Sequence, residues 1–181
     1  MNIENSNINN KSLVLYFSAT NNTKQIAKYI SEITSSDILE IIPKDAYTNE
    51  DLDYNNNNSR ANREQNDKNA RPKISNKLDL ENYDVIYLGY PIWWEEEPRI
   101  ILTLLDNYNL ENKTIIPFCT SGGSGIELSV NNIRNYNNKL NVLDGKRFSS
   151  NSSKEEVITW INSLNINNNS NSKSAKLLID N

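Results

Sequence analysis

The residues able to do chemistry in this 181-residue chain are few, and their types narrow the field. There is no histidine and only one cysteine, so imidazole-based acid–base catalysis, Ser-His-Asp and Cys-His nucleophiles, and His-ligated metal sites are excluded. What remains is binding chemistry in three loops. Ser18-Ala19-Thr20-Asn21-Asn22-Thr23 follows an apolar run and leads into a helical pattern. Hydroxyls at 18, 20 and 23, free backbone N–H groups and the positive end of a helix dipole would make a phosphate cradle. A polar turn with an ordinary cap reads equally well from these residues alone. No Lys completes a GxxxxGK[ST] pattern, which argues against a nucleoside triphosphate with Mg²⁺. The second loop, Gly89-Tyr90-Pro91-Ile92-Trp93-Trp94, holds two adjacent indoles. They would stack on a flat aromatic ligand, or one would fill the core while the other covers a helix. Glu95, Glu96 and Glu97 follow, acids that would complement a helix dipole in a first turn. The third loop, Thr120-Ser121-Gly122-Gly123-Ser124-Gly125, carries three of the five glycines, as close approach of a ligand or a left-handed turn would require. Cys119 at its base reads as a small buried hydrophobe, with no second Cys or His to activate it.

These loops need a frame, and strand-like and helix-like stretches alternate to supply one. Apolar runs at 13–17, 38–42, 84–89, 114–119 and 140–143 read as strands, the first covered on both faces and the third buried. Helical spacing recurs at 23–33, from Pro98 through Leu105, at 126–136 and at 154–164. Five alternations predict an open α/β sheet of parallel strands with helices on both faces, whose ligands sit beyond the carboxyl ends of the strands. The polar stretch 44–77 breaks the rhythm. A structureless loop of that length is unusual, so a polar surface helix is expected at 51–67. Residues 1–11 form a polar extension, 12–164 the domain, and 165–181 an Asn/Ser-rich tail, read as disordered or loosely docked.

Roughly one residue in five is Asn, far above ordinary usage, and the residues decorate loops and exposed faces between well-formed apolar runs. The formal net charge of −4 offers no basic stripe for nucleic acid. No apolar run approaches the roughly 20 residues that span a bilayer, and the N-terminus lacks the pattern of a signal peptide. A cytoplasmic protein is expected, in line with its single cysteine.

Leu13 to Thr23 (LVLYFSATNNT), Asp84 to Trp94 (DVIYLGYPIWW) and Thr114 to Gly125 (TIIPFCTSGGSG) together resemble the flavodoxins, in particular short bacterial members with a YPIWW loop. The stretch from Arg60-Ala61 to Arg71-Pro72 is similar to the connecting helix of that group. The resemblance implies a five-stranded parallel sheet in the order 2-1-3-4-5, with flavin mononucleotide (FMN) held non-covalently at the switch point between strands one and three. It assigns the phosphate to Ser18, Thr20, Asn22 and Thr23 with the backbone N–H groups of Ala19 and Asn21. Pro91, Ile92, Trp93 and Trp94 would line the isoalloxazine, at least one indole stacked on it. Thr120, Ser121, Gly122 and Gly123 would close the other side, with Gly125 shaping the turn. The implied function is low-potential electron transfer, with redox partner proteins docked weakly by electrostatics and a monomer favoured over a dimer. An NAD(P)H-dependent quinone or nitro reductase on the same fold is the alternative, and a flavin-free protein-interaction module a further one.

The chain departs from the family pattern where Asn21 and Glu95 replace glycine. Asn is the non-Gly residue that best tolerates the left-handed region. A Glu at 95 makes that conformation costlier by about 1 kcal/mol. The three carboxylates at 95–97 are expected to disfavour a reduced, anionic flavin and so to lower the midpoint potential.

Overall fold

A computed structural model describes residues 11–164; the expectations for residues 1–10 and for the tail 165–181 lie outside it. The chain alternates β1 (Ser12–Tyr16), α1 (Asn22–Thr34), β2 (Asp37–Glu40), α2 (Arg60–Asn66), β3 (Val85–Pro91), α3 (Arg99–Asn107), β4 (Thr114–Thr120), α4 (Glu127–Tyr136), β5 (Asn141–Val142), β6 (Lys146–Phe148) and α5 (Lys154–Ser163). The sheet runs β2-β1-β3-β4-β5, every pairing parallel.

Strand periodicity sorts the core into two layers. Leu13, Leu15 and Phe17 pack in one cluster with Ile86, Leu88 and Tyr90 of β3 and Ile100, Ile101 and Leu104 of α3. Their alternates Val14, Tyr16, Val85 and Tyr87 pack in the other, against Ile26, Ala27, Ile30 and Ile33 of α1 and Val157, Trp160 and Ile161 of α5. Side chains pointing alternately to the two faces account for the near-continuous apolar runs. Cys119 is fully buried in the first cluster.

Two elements differ from expectation. The fifth strand is interrupted: β5 pairs with the start of β4 through Thr114 and Ile115, while β6 pairs with its end, Phe118 to Thr120. Gly145 makes the break, with φ 73° and the Pro117 carbonyl where a Cβ would stand. The continuation places Arg147 at the carboxyl end of the sheet. The helix expected at 51–67 is confined to Arg60–Asn66. Ahead of it, short polar side chains bind nearby backbone instead: Asp53 Oδ1 accepts from the Asn55 N–H, Asn56 Oδ1 from Asn58, and Ser59 caps the helix.

Candidate functional site

The three loops leave the carboxyl ends of β1, β3 and β4. The first turns into α1 through Asn21, whose φ of 68° is left-handed, so Asn does here what glycine would do. Along this turn the backbone N–H groups of residues 18–23 find no acceptor among the described residues, although Thr23 is 1 % exposed. A buried amide such as that of Thr23 is normally paired, and here it joins the free N–H groups of a helix N-terminus, where the dipole favours an anion. Ser18 Oγ accepts the Lys24 N–H at 3.2 Å. Thr23 Oγ1 bonds Thr120 Oγ1 at 2.8 Å, so these two hydroxyls join the first loop to the third. The side chains of Thr20, Asn21 and Asn22 stand exposed at the turn.

The two indoles separate. Trp93 is half-buried and meets Phe17 and Tyr47 edge to face at 5.7 and 5.2 Å, so it takes the core role. Trp94 is 60 % exposed. Trp93 and Glu96 exchange backbone hydrogen bonds of 2.9 and 3.1 Å. The two residues between them, Trp94 (φ 51°) and Glu95 (φ 65°), are both left-handed. This is a two-residue hairpin turn that normally calls for Asn-Gly. The acids do not serve a helix dipole as expected, because α3 begins at Arg99 with Pro98 as its cap. Glu96 accepts from the buried Arg99 guanidinium at 3.0 Å. Glu97 is 1 % exposed; its carboxyl is pushed up to about 7 by burial, against hydrogen bonds from its own N–H and from Asn132.

In the third loop none of the glycines is left-handed. A Cβ at Gly122 or Gly123 would meet open space, whereas one at Gly125 would strike the Glu127 carboxylate. Arg147 from β6 holds the loop, donating to Ser121 Oγ at 3.1 Å and to its carbonyl at 2.9 Å. Pro91 ends β3 half-buried, and the Ile92 N–H reaches the Thr120 carbonyl at 3.0 Å.

Between the second and third loops lies a cleft of about 600 Å³. Of the residues singled out from sequence, Ile92, Trp93, Trp94, Ser121, Gly122 and Gly123 line it. Residues 18–23, Pro91, Thr120 and Gly125 do not; 18–23 form the turn into α1, and Thr120 is bonded to it through Thr23. The remaining wall comes from the polar stretch, through Leu52, Tyr54, Ala61 and Asn62. Sequence reading passed over this wall, and its signal was slight: Leu52 and Tyr54 standing in an otherwise polar run. Side chains fasten it from behind. Arg99, 3 % exposed, donates to the carbonyls of Glu64, Gln65 and Asp67 at 2.6 to 3.2 Å, and Gln65 Nε2 donates to the carbonyls of Trp93 and Glu97.

No described helix is long and apolar enough to cross a membrane. No curated protein matches the chain, but solved structures do. It is 39 % identical to a candidate flavoprotein from Bacteroides uniformis (TM-score 0.82, covering 84 % of this chain and 98 % of that one). It is 37 % identical to another from Bacteroides eggerthii (TM-score 0.80, covering 86 % and 98 %). A flavoprotein from Lactobacillus acidophilus, solved in complex with FMN, is 30 % identical (TM-score 0.63, covering 84 % and 99 %). The sequence pattern of the flavodoxins matches residues 11–164, and the sheet order is the one that the three loop motifs led us to expect. With that match over the whole described domain and relatives 30 to 39 % identical over most of its length, the chain belongs to the flavodoxin family.

Proposed function

We propose that this chain binds FMN non-covalently and carries electrons. The observation that carries the reading is the pairing of two complementary features at one end of the sheet. One is a run of backbone N–H groups, residues 18–23, with no acceptor among the described residues; the other is a cleft with exposed Tyr54 and Trp94 on its walls. Its volume of about 600 Å³ lies within the range of sites that take a cofactor-sized ligand. The residues suit a phosphorylated flat ring: residues 18–23 would hold the phosphate by neutral donors and the helix dipole, while Trp94, Tyr54, Ile92 and the backbone of Ser121 to Gly123 would line the ring system. FMN, when bound, supplies the redox chemistry, and the protein supplies binding, orientation and charge. The Lactobacillus relative solved with FMN supports the reading.

Carrier function is favoured over a reductase because the ionisable side chains lining the cleft are Tyr54 and Glu95 alone, both exposed, so no buried acid or base faces the ring. The acidic chain, of formal net charge −4 and with exposed Glu95 on the cleft, would dock basic redox partners weakly and with salt sensitivity, as a monomer. The test is an absorption spectrum after FMN addition and desalting, followed by steady-state NADPH oxidation with a quinone acceptor. Retained flavin and negligible turnover are expected. Complete loss of flavin at micromolar protein would overturn the cofactor, and rapid quinone turnover would overturn the carrier.

A further inference from the structure

Tyr54 and Trp94, the two exposed aromatics of the cleft, come from separate loops, and one buried amide joins them. Asn62, 3 % exposed on α2, accepts the Trp94 indole N–H on Oδ1 at 2.5 Å. Its Nδ2 donates to the carbonyls of Tyr54 at 3.1 Å and Asn56 at 2.7 Å, with that of Asp53 at 3.5 Å. These partners fix the amide's orientation. Turned over, it would set its NH₂ against an N–H and its oxygen against three carbonyl oxygens. With Oδ1 engaged by the indole and Nδ2 by carbonyls, Asn62 acts through its neighbours.

We propose that Asn62 is a positioning residue that sets the separation of Tyr54 and Trp94, so that the cleft is open to a planar ring before the ring arrives. The inference rests on the FMN reading for its ligand. Two features of the second loop demand such a device. Trp94 occupies a left-handed backbone conformation at a turn, which disfavours it unless something holds it. Its indole is also 60 % exposed, where an untethered ring would fold onto apolar surface and close the cleft. The hydrogen bond to a buried acceptor whose orientation is fixed opposes both, and ordering a wall in advance removes that cost from binding.

Three variants separate the arms. Asn62→Asp keeps an acceptor for the indole but turns a carboxylate toward three carbonyl oxygens, releasing the Tyr54 side. Trp94→Phe keeps a ring without the donor, releasing the Trp94 side. Asn62→Ala releases both. Two readouts apply: the ¹⁵N–¹H indole resonance and hydrogen exchange of Trp94 in the ligand-free protein, assigned by its disappearance in Trp94→Phe among three tryptophans, and the Kd for FMN. In Asn62→Ala the indole proton should move upfield and exchange about 10-fold faster, with FMN affinity about 10-fold weaker. In Asn62→Asp the indole resonance should persist while affinity falls. The Asn62→Ala effect on affinity should shrink when Trp94 is already Phe. Indole exchange unchanged in Asn62→Ala, or FMN affinity within 2-fold of wild type, would overturn the proposal. If Asn62→Ala does not fold, Asn62→Asp and Trp94→Phe decide it by the same readouts. If the wild type itself does not take up FMN, the cofactor reading fails, while the indole readout still decides whether Asn62 holds Trp94.

Discussion

Thr23 Oγ1 and Thr120 Oγ1 lie 2.8 Å apart, both in buried residues and 97 positions apart in sequence. They tie the anion turn at the start of α1 to the end of β4. Replacing one threonine by valine keeps the shape but leaves the other hydroxyl buried without its partner, a loss of about 1–3 kcal/mol. Thr23→Val and Thr120→Val should each show it in urea unfolding. The double variant, with no hydroxyl to orphan, should lie within about 1 kcal/mol of wild type. Additive losses would mean that the two do not act as a pair.

Backbone strain at the site is concentrated at residues that are not glycine. Asn21 (φ 68°) and Glu95 (φ 65°) are left-handed, so the cost expected for Glu95 is present in this structure. Glu95→Gly should stabilise the protein by about 1 kcal/mol, since it relieves a conformation that costs non-Gly residues about that much. Asn21→Gly should be nearly neutral, because Asn tolerates this region, while Asn21→Ala should lose about 1 kcal/mol. Thermal or urea midpoints of the three variants check the order. A destabilised Glu95→Gly would show that the carboxylate does more than tolerate its place.

Much of this was legible in the chain because buried strands announce themselves. β1, β3 and β4 are apolar on both faces, and loops that leave them can be located from their ends. The wall made by α2 had no such signal. Asn62, Gln65 and Arg99 hold it by side-chain hydrogen bonds to backbone carbonyls, and such bonds leave no periodicity in a sequence. The fifth strand was only half read because two short pieces separated by Gly145 pair with different ends of β4. The first lies in the apolar run 140–143, but the second, Lys146–Phe148, makes no such run, and Arg147 was missed with it. The adjacent tryptophans were an ambiguity that the turn resolved: with Trp94 and Glu95 at its corner, the chain reverses and the two indoles part.

Glu97 makes stability depend on pH. Burial raises its carboxyl from 4.5 to about 7 in the folded protein, helped by Glu96 and opposed by Arg99 and by hydrogen bonds from Asn132 and its own N–H. Lys68, Arg71 and Arg99 line the small cavity beside it. Below the unfolded value both states are protonated and nothing is lost. As pH rises from about 4.5 to 7 the unfolded state ionises first and stability falls. Above 7 the penalty levels off at about 3 kcal/mol. Glu97→Gln keeps an oxygen for Asn132 and removes the titration. It should therefore match wild type near pH 4 and exceed it by about 3 kcal/mol at pH 8. Parallel stability curves for the two proteins across this interval would contradict the assignment.

Arg99 decides whether the cleft keeps its far wall. Its guanidinium donates to the carbonyls of Glu64, Gln65 and Asp67 at the end of α2 and to the Glu96 carboxylate; the Glu64 and Asp67 carbonyls also accept the N–H groups of Asp67 and Ala70, so that of Gln65 depends on Arg99 most. A lysine has the charge but not the planar fork and cannot reach four acceptors from one head group. Arg99→Met takes from the Gln65 carbonyl its donor at 2.6 Å and from Glu96 its ion pair, and should cost about 1–3 kcal/mol, Arg99→Lys roughly half of that. The loss should be local first. α2 meets the body of the protein largely through these hydrogen bonds, whereas β3 is locked between β1 and β4. Hydrogen exchange of the α2 amides should therefore accelerate in Arg99→Lys while β3 stays protected. Equal acceleration in both would place Arg99 in the global core instead, with the wall no weaker than the sheet it stands on.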